Sequence, residues 1–346
     1  MFPHALARLV EPPLHLARIE SQERDAYSAF FFSPEPSRVV ARLAGSLRNA
    51  AASVTELPAV GDYVALDVPA GATIGIVRGV LPRRNLFARR ASGGSSALQP
   101  IAANLDTLFI AVACNRDFNL RRIERYLAGA EVCNVDAAIV LTKADLADDV
   151  GDYVAAARSV ANGRPVIAVA ALEGIGLDAF DAFRGPARTL AIVGSSGAGK
   201  STLLNALLGE AVLATGAARS GDDRGRHTTT RRMLLHLCDG TAIVDTPGMR
   251  EFGLSAGDDA VGAAFDDVAT LAAACRFSDC RHEREPGCAV VGSLDDERLA
   301  SWRKLSREAI FEAGKSDYAV RAAEKRRWKT IAKSARAFDK RGRNAE

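Results

Sequence analysis

The chain is poor in aromatic residues, 6% of 346 positions, and holds only six cysteines and two tryptophans. Six cysteines are too few to staple a chain of this length, which is long enough to bury a core without them. No run of about eighteen uncharged apolar residues occurs, so no helical membrane span is expected. Met1-Phe2-Pro3-His4 opens no basic-then-apolar leader, and a cytoplasmic location with no membrane partner is the expectation. An excess of one charge is also missing: 45 Lys and Arg against 42 Asp and Glu leave +3. Contact with nucleic acid therefore depends on where charge is placed, not on its sum. The remaining composition, 48% hydrophobic and 25% charged, fits a globular protein of two or three domains.

Three regions differ in pattern. Up to about Arg90, short alternating segments such as Tyr63 to Val68 and Thr73 to Val77 are broken by Gly and Pro, which predicts a small β domain, a barrel. From Ile101, apolar runs alternate with helical stretches. Thr107 to Ala113, Ala137 to Leu141, Val166 to Val169, Leu190 to Val193 and Thr241 to Val244 read as buried parallel strands of an α/β sheet. After Phe252 the apolar runs end, and a cysteine cluster leads into a charged helical tail. The boundaries fall at 1–95, 96–255 and 256–346, with a flexible linker near Ala91 to Ser96.

The strongest chemistry lies in Gly194-Ser195-Ser196-Gly197-Ala198-Gly199-Lys200-Ser201-Thr202, which follows a predicted strand and opens a predicted helix, Ser201 to Leu208. Glycines let the backbone curl its N–H groups toward phosphates, Lys200 reaches the β and γ groups, and Ser201 ligates magnesium. Next comes Asp245-Thr246-Pro247-Gly248 at the end of a strand. There Asp245 is expected to hold magnesium through water, and Gly248 to give its N–H to the γ-phosphate. Between the two, the polar stretch Gly221 to Thr230 suits a segment that orders when Thr229, or else Thr228, reaches the magnesium. Met249 stands where a water-orienting glutamine would be expected, which leaves His227 to position the attacking water and Arg226 to stabilise charge.

Thr142-Lys143-Ala144-Asp145 reads as a guanine-recognition tetrad: Asp145 accepts from the base N1–H and exocyclic amine, and Lys143 lays its stem along the ring. Threonine at its first position lacks the amide that asparagine would bring. Ala170-Ala171-Leu172-Glu173-Gly174, after the strand ending at Val169, offers a backbone N–H to the guanine oxygen. The tetrad precedes the phosphate loop in the chain, the order of a circularly permuted GTPase.

Cys275, Cys280, His282 and Cys288 supply four donors within fourteen residues, the complement of one closed, structural zinc site. Cys114, Cys133 and Cys238 read as buried packing residues. The tail from Arg321 to Arg343 carries ten basic residues against two acidic ones, with Trp328 and Phe338 among them, a pattern suited to RNA. Arg83-Arg84 and Arg89-Arg90 read as a second basic patch beside the β domain.

These features, with Pro58-Ala59-Val60-Gly61-Asp62, Ala103-Asn104-Leu105-Asp106, Asp117-Phe118-Asn119, Gly225-Arg226-His227-Thr228-Thr229 and Cys275-Arg276-Phe277-Ser278-Asp279-Cys280-Arg281-His282, resemble the RsgA (YjeQ) family. The resemblance runs from about Leu57 to Val290. It implies an oligonucleotide-binding barrel, GTP hydrolysis to GDP stimulated by the small ribosomal subunit, binding to its rRNA during late maturation, and zinc on the Cys3His set. A monomer that binds GTP and GDP is expected. A nucleotide-independent RNA-binding module and a GTPase with a partner other than the ribosome are the readings it competes with.

Overall fold

The computed structural model describes residues 2–23, 26–31, 37–69, 72–90, 98–209, 232–246, 261, 264–278 and 280–310. After a short helix α1 (Phe2–Ala7), strands β1 (His15–Glu23), β2 (Ala26–Phe31), β3 (Ser37–Leu43), β4 (Tyr63–Asp67) and β5 (Ile74–Val80) pair in the order β1-β2-β3-β5-β4, with helix α2 (Gly45–Ala50) after β3. β4 then pairs back onto β1, so the five strands close into a barrel, as the sequence predicts. Ala17, Ile19, Tyr27, Ala29, Ala41, Val64, Leu66 and Val77 fill its interior.

β1 is covered on both faces. Ala17 and Ile19 point into the barrel, whereas the alternate residues Arg18 and Glu20 are buried against the next domain. Arg18 lies over the Tyr63 ring at 5.1 Å and donates through Nη2 to the Thr189 hydroxyl at 2.6 Å. Beside it Asn104 bonds Arg84 and Gly61, and Asp106 accepts from the Thr189 N–H at 2.7 Å and from Arg84 at 2.8 Å. Gly61 takes φ +91°, and a Cβ there would meet the Ala103 carbonyl oxygen at 2.4 Å. The Ala103-Asn104-Leu105-Asp106 segment is thus the joint between barrel and sheet. Arg83, read in sequence as part of an open basic patch, is instead bonded to Asp62 and to the Thr55 and Leu57 carbonyls.

Strands β6 (Leu86–Arg90) and β7 (Leu98–Ala103) form a separate two-stranded ribbon. The α/β region then runs β8 (Thr107–Ala113), α3 (Leu120–Val132), β9 (Asp136–Thr142), α4 (Val150–Val160), β10 (Val166–Ala168), β11 (Thr189–Val193), α5 (Lys200–Leu208), β12 (Met233–His236) and β13 (Ala242–Asp245). Its strand order is β10-β9-β8-β11-β13-β12, parallel except for β12, and β12 touches β1 at Met233 and Ser21 to join the two sheets. Every residue of β8 and β11 is buried, the mark of strands covered on both faces. Ile123, Tyr126 and Leu127 of α3 pack one face, and Phe109, Phe180 and Leu203 pack the other.

Beyond the sheet lie helix α6 (Asp266–Ala272), the cysteine segment, and a helix over residues 296–310, called α7. α7 is clamped to α3. Arg298 reaches Glu124 at 2.6 Å and Asp267 at 2.5 Å and covers the Phe265 ring at 4.7 Å, while Arg125 pairs with Glu308 at 2.8 Å.

Candidate functional site

Parallel pairing brings the C-terminal ends of β9, β11 and β13 to one edge, where ligand sites of open α/β sheets form. Ala113 pairs with Thr142, Val193 with Ile110, and Ile192 with Asp245. The Thr142-to-Asp145 tetrad, the loop from Gly194 and the Asp245 carboxylate therefore meet, although the chain visits them in permuted order.

Gly194 leaves β11 with φ +149°, and a Cβ there would stand 2.2 Å from the Ala111 carbonyl oxygen of β8. Only glycine lets the loop turn this close to its neighbour strand. Gly197 and Gly199 are left-handed, with Gly199 capping α5. Lys200 folds its ammonium against the Gly194 and Ser195 carbonyls at 2.9 and 2.7 Å. Burial lowers its pKa, and Asp245 opposes that shift. Asp245 is itself buried at the end of β13, and burial pushes its carboxyl up against the pull of Lys200. Next to it, Thr246 donates to the Ile192 carbonyl at 2.5 Å. Ser201 and Thr202 stand half-buried in the first turn of α5, and Ser196 is exposed on the loop.

Thr142 is buried, and its hydroxyl donates to the Ala198 carbonyl at 2.8 Å. The threonine that sequence reading treats as a lost amide is a tie between the tetrad and the loop. Nothing in the local sequence signals this, because the partner lies on another strand's loop. Lys143 is left-handed and turns the chain into a single 3-10 turn, which leaves Asp145 exposed at the edge. The Ala144 N–H bonds the Val169 carbonyl at 3.1 Å, so the loop after β10 lies alongside. Within that loop the N–H groups of Ala170 and Glu173 are bonded internally. His227, Thr229 and Gly248, with Arg226, Thr228, Met249 and the basic tail, lie outside the described residues.

The second cluster is the Cys3His set. One donor atom from each of Cys275, Cys280, His282 and Cys288 falls within 4.8 Å of the others. Cys275 and Cys288 sulfurs are 4.0 Å apart, and each lies 3.5 Å from His282 Nδ1. A tetrahedral zinc with bonds of about 2.3 Å to sulfur and 2.0 Å to nitrogen sets about 3.8 and 3.5 Å for these separations, so the donors fit one ion. The N–H of Ala289 points at Cys275 Sγ (3.3 Å) and that of Val291 at Cys288 Sγ (3.5 Å), as thiolates require. Glu285 accepts from the N–H groups of Glu283, Arg281 and Arg284, which hold its carboxyl down to about 2 and fix the turn between ligands. His282 rests on Trp302 of α7, ring centroids 5.3 Å apart.

Of the other cysteines, Cys114 is buried and its thiol is pushed up to about 11 by burial and by Asp145. Cys133 is half-buried, and Cys238 is exposed in the turn between β12 and β13, contrary to the sequence expectation.

A model of the RsgA GTPase family matches residues 80–255. The small ribosomal subunit biogenesis GTPase RsgA of Opitutus terrae is 44% identical over 316 residues, 87% of this chain and 86% of that protein. Its counterpart in Methanosarcina acetivorans is 41% identical, covering 88% of this chain and 83% of the relative. Among solved structures, YjeQ from Thermotoga maritima aligns over 86% of this chain and 99% of its own with a TM-score of 0.63 at 23% identity. YloQ, a circularly permuted GTPase, gives 0.61 at 21% identity, over 86% of this chain and 96% of its own. At such identity these two show the fold, whereas the family model and the close relatives settle the kinship: the chain belongs to the RsgA family of circularly permuted GTPases.

Proposed function

We propose that the chain hydrolyses GTP to GDP and phosphate as a late maturation factor of the small ribosomal subunit, bound to its rRNA. The observation that carries this reading is the bond from Thr142 to Ala198, which ties a guanine tetrad to a phosphate loop on one sheet edge. Asp145 selects guanine by two charge-assisted hydrogen bonds, and Lys143 packs on the base. A backbone N–H at Ala171 or Leu172 meets the guanine oxygen. The loop from Gly194 to Gly199 wraps the phosphates, Lys200 binds the β and γ oxygens, and Ser201 and Thr202 lie beneath them.

The family implies magnesium with GTP, and the chain's hydroxyls and carboxylate suit it: Ser201 and Thr229 as direct ligands, Asp245 through water. Held by these residues, magnesium would supply positive charge against the phosphate oxygens. Gly248 closes on the γ-phosphate, and His227 orients the attacking water. Zinc fits the Cys3His donors and serves folding rather than chemistry, since four protein ligands leave no open position.

The division proposed is 1–95, 96–255 and 256–346; the barrel strands close on one another within residues 15–80, inside the first of these. A cytoplasmic monomer is the matching biological form. Hydrolysis of GTP and ATP, measured with and without purified small subunits, tests the reading. Turnover raised by subunits and abolished by Lys200→Ala is expected, whereas ATP preference or indifference to subunits overturns it.

A further inference from the structure

Between the turn that carries His282 and the face of α7 lies an open cleft of about 440 Å³ lined by Glu283, Arg284, Glu285, Arg303 and Arg307. It belongs neither to the nucleotide edge nor to the metal ligands. Three guanidinium groups from two elements border it. Arg303 is fixed in place by donation from Nη2 to the His282 carbonyl, and its Nε, fully buried, meets no acceptor among the described residues. A buried donor without a partner is rare, and it marks the Arg303 guanidinium as incompletely satisfied by the fold. Arg307 stands one helical turn further on, held by an Nε bond to the Arg303 carbonyl at 3.2 Å.

The two carboxylates in the lining differ in role. Glu285 is engaged by three backbone N–H groups and builds the floor of the cleft. Glu283 is exposed at the rim, where it repels a bare anion but accepts from a hydroxyl. A ligand that satisfies this mixed set carries an anionic oxygen cluster with a hydroxyl donor beside it. A ribonucleotide unit does so, and its 2′-hydroxyl is the group that separates RNA from DNA. On the same cysteine segment Phe277 is 42% exposed, with the Arg276 guanidinium 5.5 Å from its ring centre, an aromatic and cationic surface of the kind that suits stacking by an unpaired base.

We propose that this cleft holds one ribose-phosphate unit of single-stranded RNA, the phosphodiester on Arg284, Arg303 and Arg307 and the 2′-hydroxyl on Glu283. The inference rests on the reading of the chain as an rRNA-binding protein and gives that binding a defined contact.

The test uses the full-length, metal-loaded protein and a fluorescent single-stranded RNA, with DNA of the same sequence as its control, over about 50 to 200 mM salt. Arg284→Gln with Arg307→Gln removes two exposed guanidinium groups and leaves Arg303 and the metal ligands in place. The double variant is expected to bind RNA more weakly and to lower the slope of log affinity against log salt by about 0.7 per lost phosphate contact. Glu283→Gln is expected to narrow the preference for RNA over DNA. Unchanged affinity and slope in a double variant with normal metal content and melting temperature overturn the cleft while leaving the general reading intact. Absence of RNA and small-subunit binding by the wild-type chain overturns both. Unchanged RNA affinity with lost binding to a polyglutamate peptide assigns the cleft to an acidic protein and overturns it too.

Discussion

The hydroxyl of Thr142 donates to the carbonyl of Ala198 at 2.8 Å and joins the end of β9 to the phosphate-binding loop across 56 positions of sequence. The strand end that leads into Asp145 and the loop from Gly194 to Gly199 are thereby made one body. Thr142→Val keeps the shape and removes the donor, leaving a buried carbonyl unpaired at about 1 to 3 kcal/mol. GTP and GDP affinity should both fall, by about 5- to 150-fold, with the two nucleotides affected alike. Calorimetric titration of both checks it, and a loss confined to GTP would show that the tie serves the γ-phosphate instead.

Asp145 stands exposed at the same edge. Asp145→Asn replaces an acceptor of two charge-assisted bonds by an amide that donates against the guanine amine. GTP affinity should drop by about a hundredfold or more. Xanthosine triphosphate, whose C2 carbonyl oxygen stands where guanine has its amine and accepts from the new amide, should gain. Competition between the two nucleotides on the variant reads this directly.

Much of this site is legible in the sequence because parallel strands buried on both faces appear as unbroken apolar runs, and the motifs stand at their ends. Thr107 to Ala113 and Leu190 to Val193 are read nearly residue for residue. The first barrel strands are read less fully: Ala17-Arg18-Ile19-Glu20 alternates as a half-exposed strand would, yet Arg18 and Glu20 are buried in the seam, and their partners Thr189 and His236 lie far along the chain. Arg83 and Arg84 look like a basic patch because the carboxylates that pair with them, Asp62 and Asp106, lie about twenty positions away in sequence. Cys238 fails differently: an apolar strand precedes it, but the tight turn into β13 carries it to the surface.

Function and stability should part at Asp245. Burial raises its pKa, so the folded state prefers the neutral form, and stability from this group is lost as pH rises through the raised value. Asp245→Asn removes that penalty and should raise the melting temperature at neutral pH, while magnesium-dependent GTP binding weakens. In the wild type, the same binding should fail on acidification at a higher pH than an ordinary carboxylate, about 4, would set. Melting curves and nucleotide titrations across pH measure both signs.

Removing metal should act on folding rather than on base recognition. A structural zinc contributes on the order of 10 kcal/mol to a small metal-bound segment. A strong chelator, or Cys288→Ser, should lower the melting temperature and expose 275–310 to protease, with GDP affinity changed less than about twofold. Metal analysis should find one zinc per chain before treatment. GDP affinity that collapses along with the metal would show that the cysteine segment also shapes the nucleotide edge.

The joint between that segment and α3 rests on Glu124, 3% exposed, which Arg298 meets at 2.6 Å and which the Ser301 hydroxyl also contacts. Burial pushes the Glu124 carboxyl up, and Ser301 and Arg298 pull it back. Arg298→Met leaves the carboxylate buried with only a hydroxyl, a loss of about 3 to 5 kcal/mol by analogy with other broken buried pairs. The sign with pH follows. Without Arg298 the Glu124 pKa rises further, so the variant's deficit shrinks as pH falls and the acid becomes neutral. Arg298→Met combined with Glu124→Leu replaces the buried pair by packing and should recover most of the lost stability. Urea unfolding of the two single variants and the double variant closes the cycle. A deficit that is the same at all pH values would show that Glu124 is not the group left uncompensated.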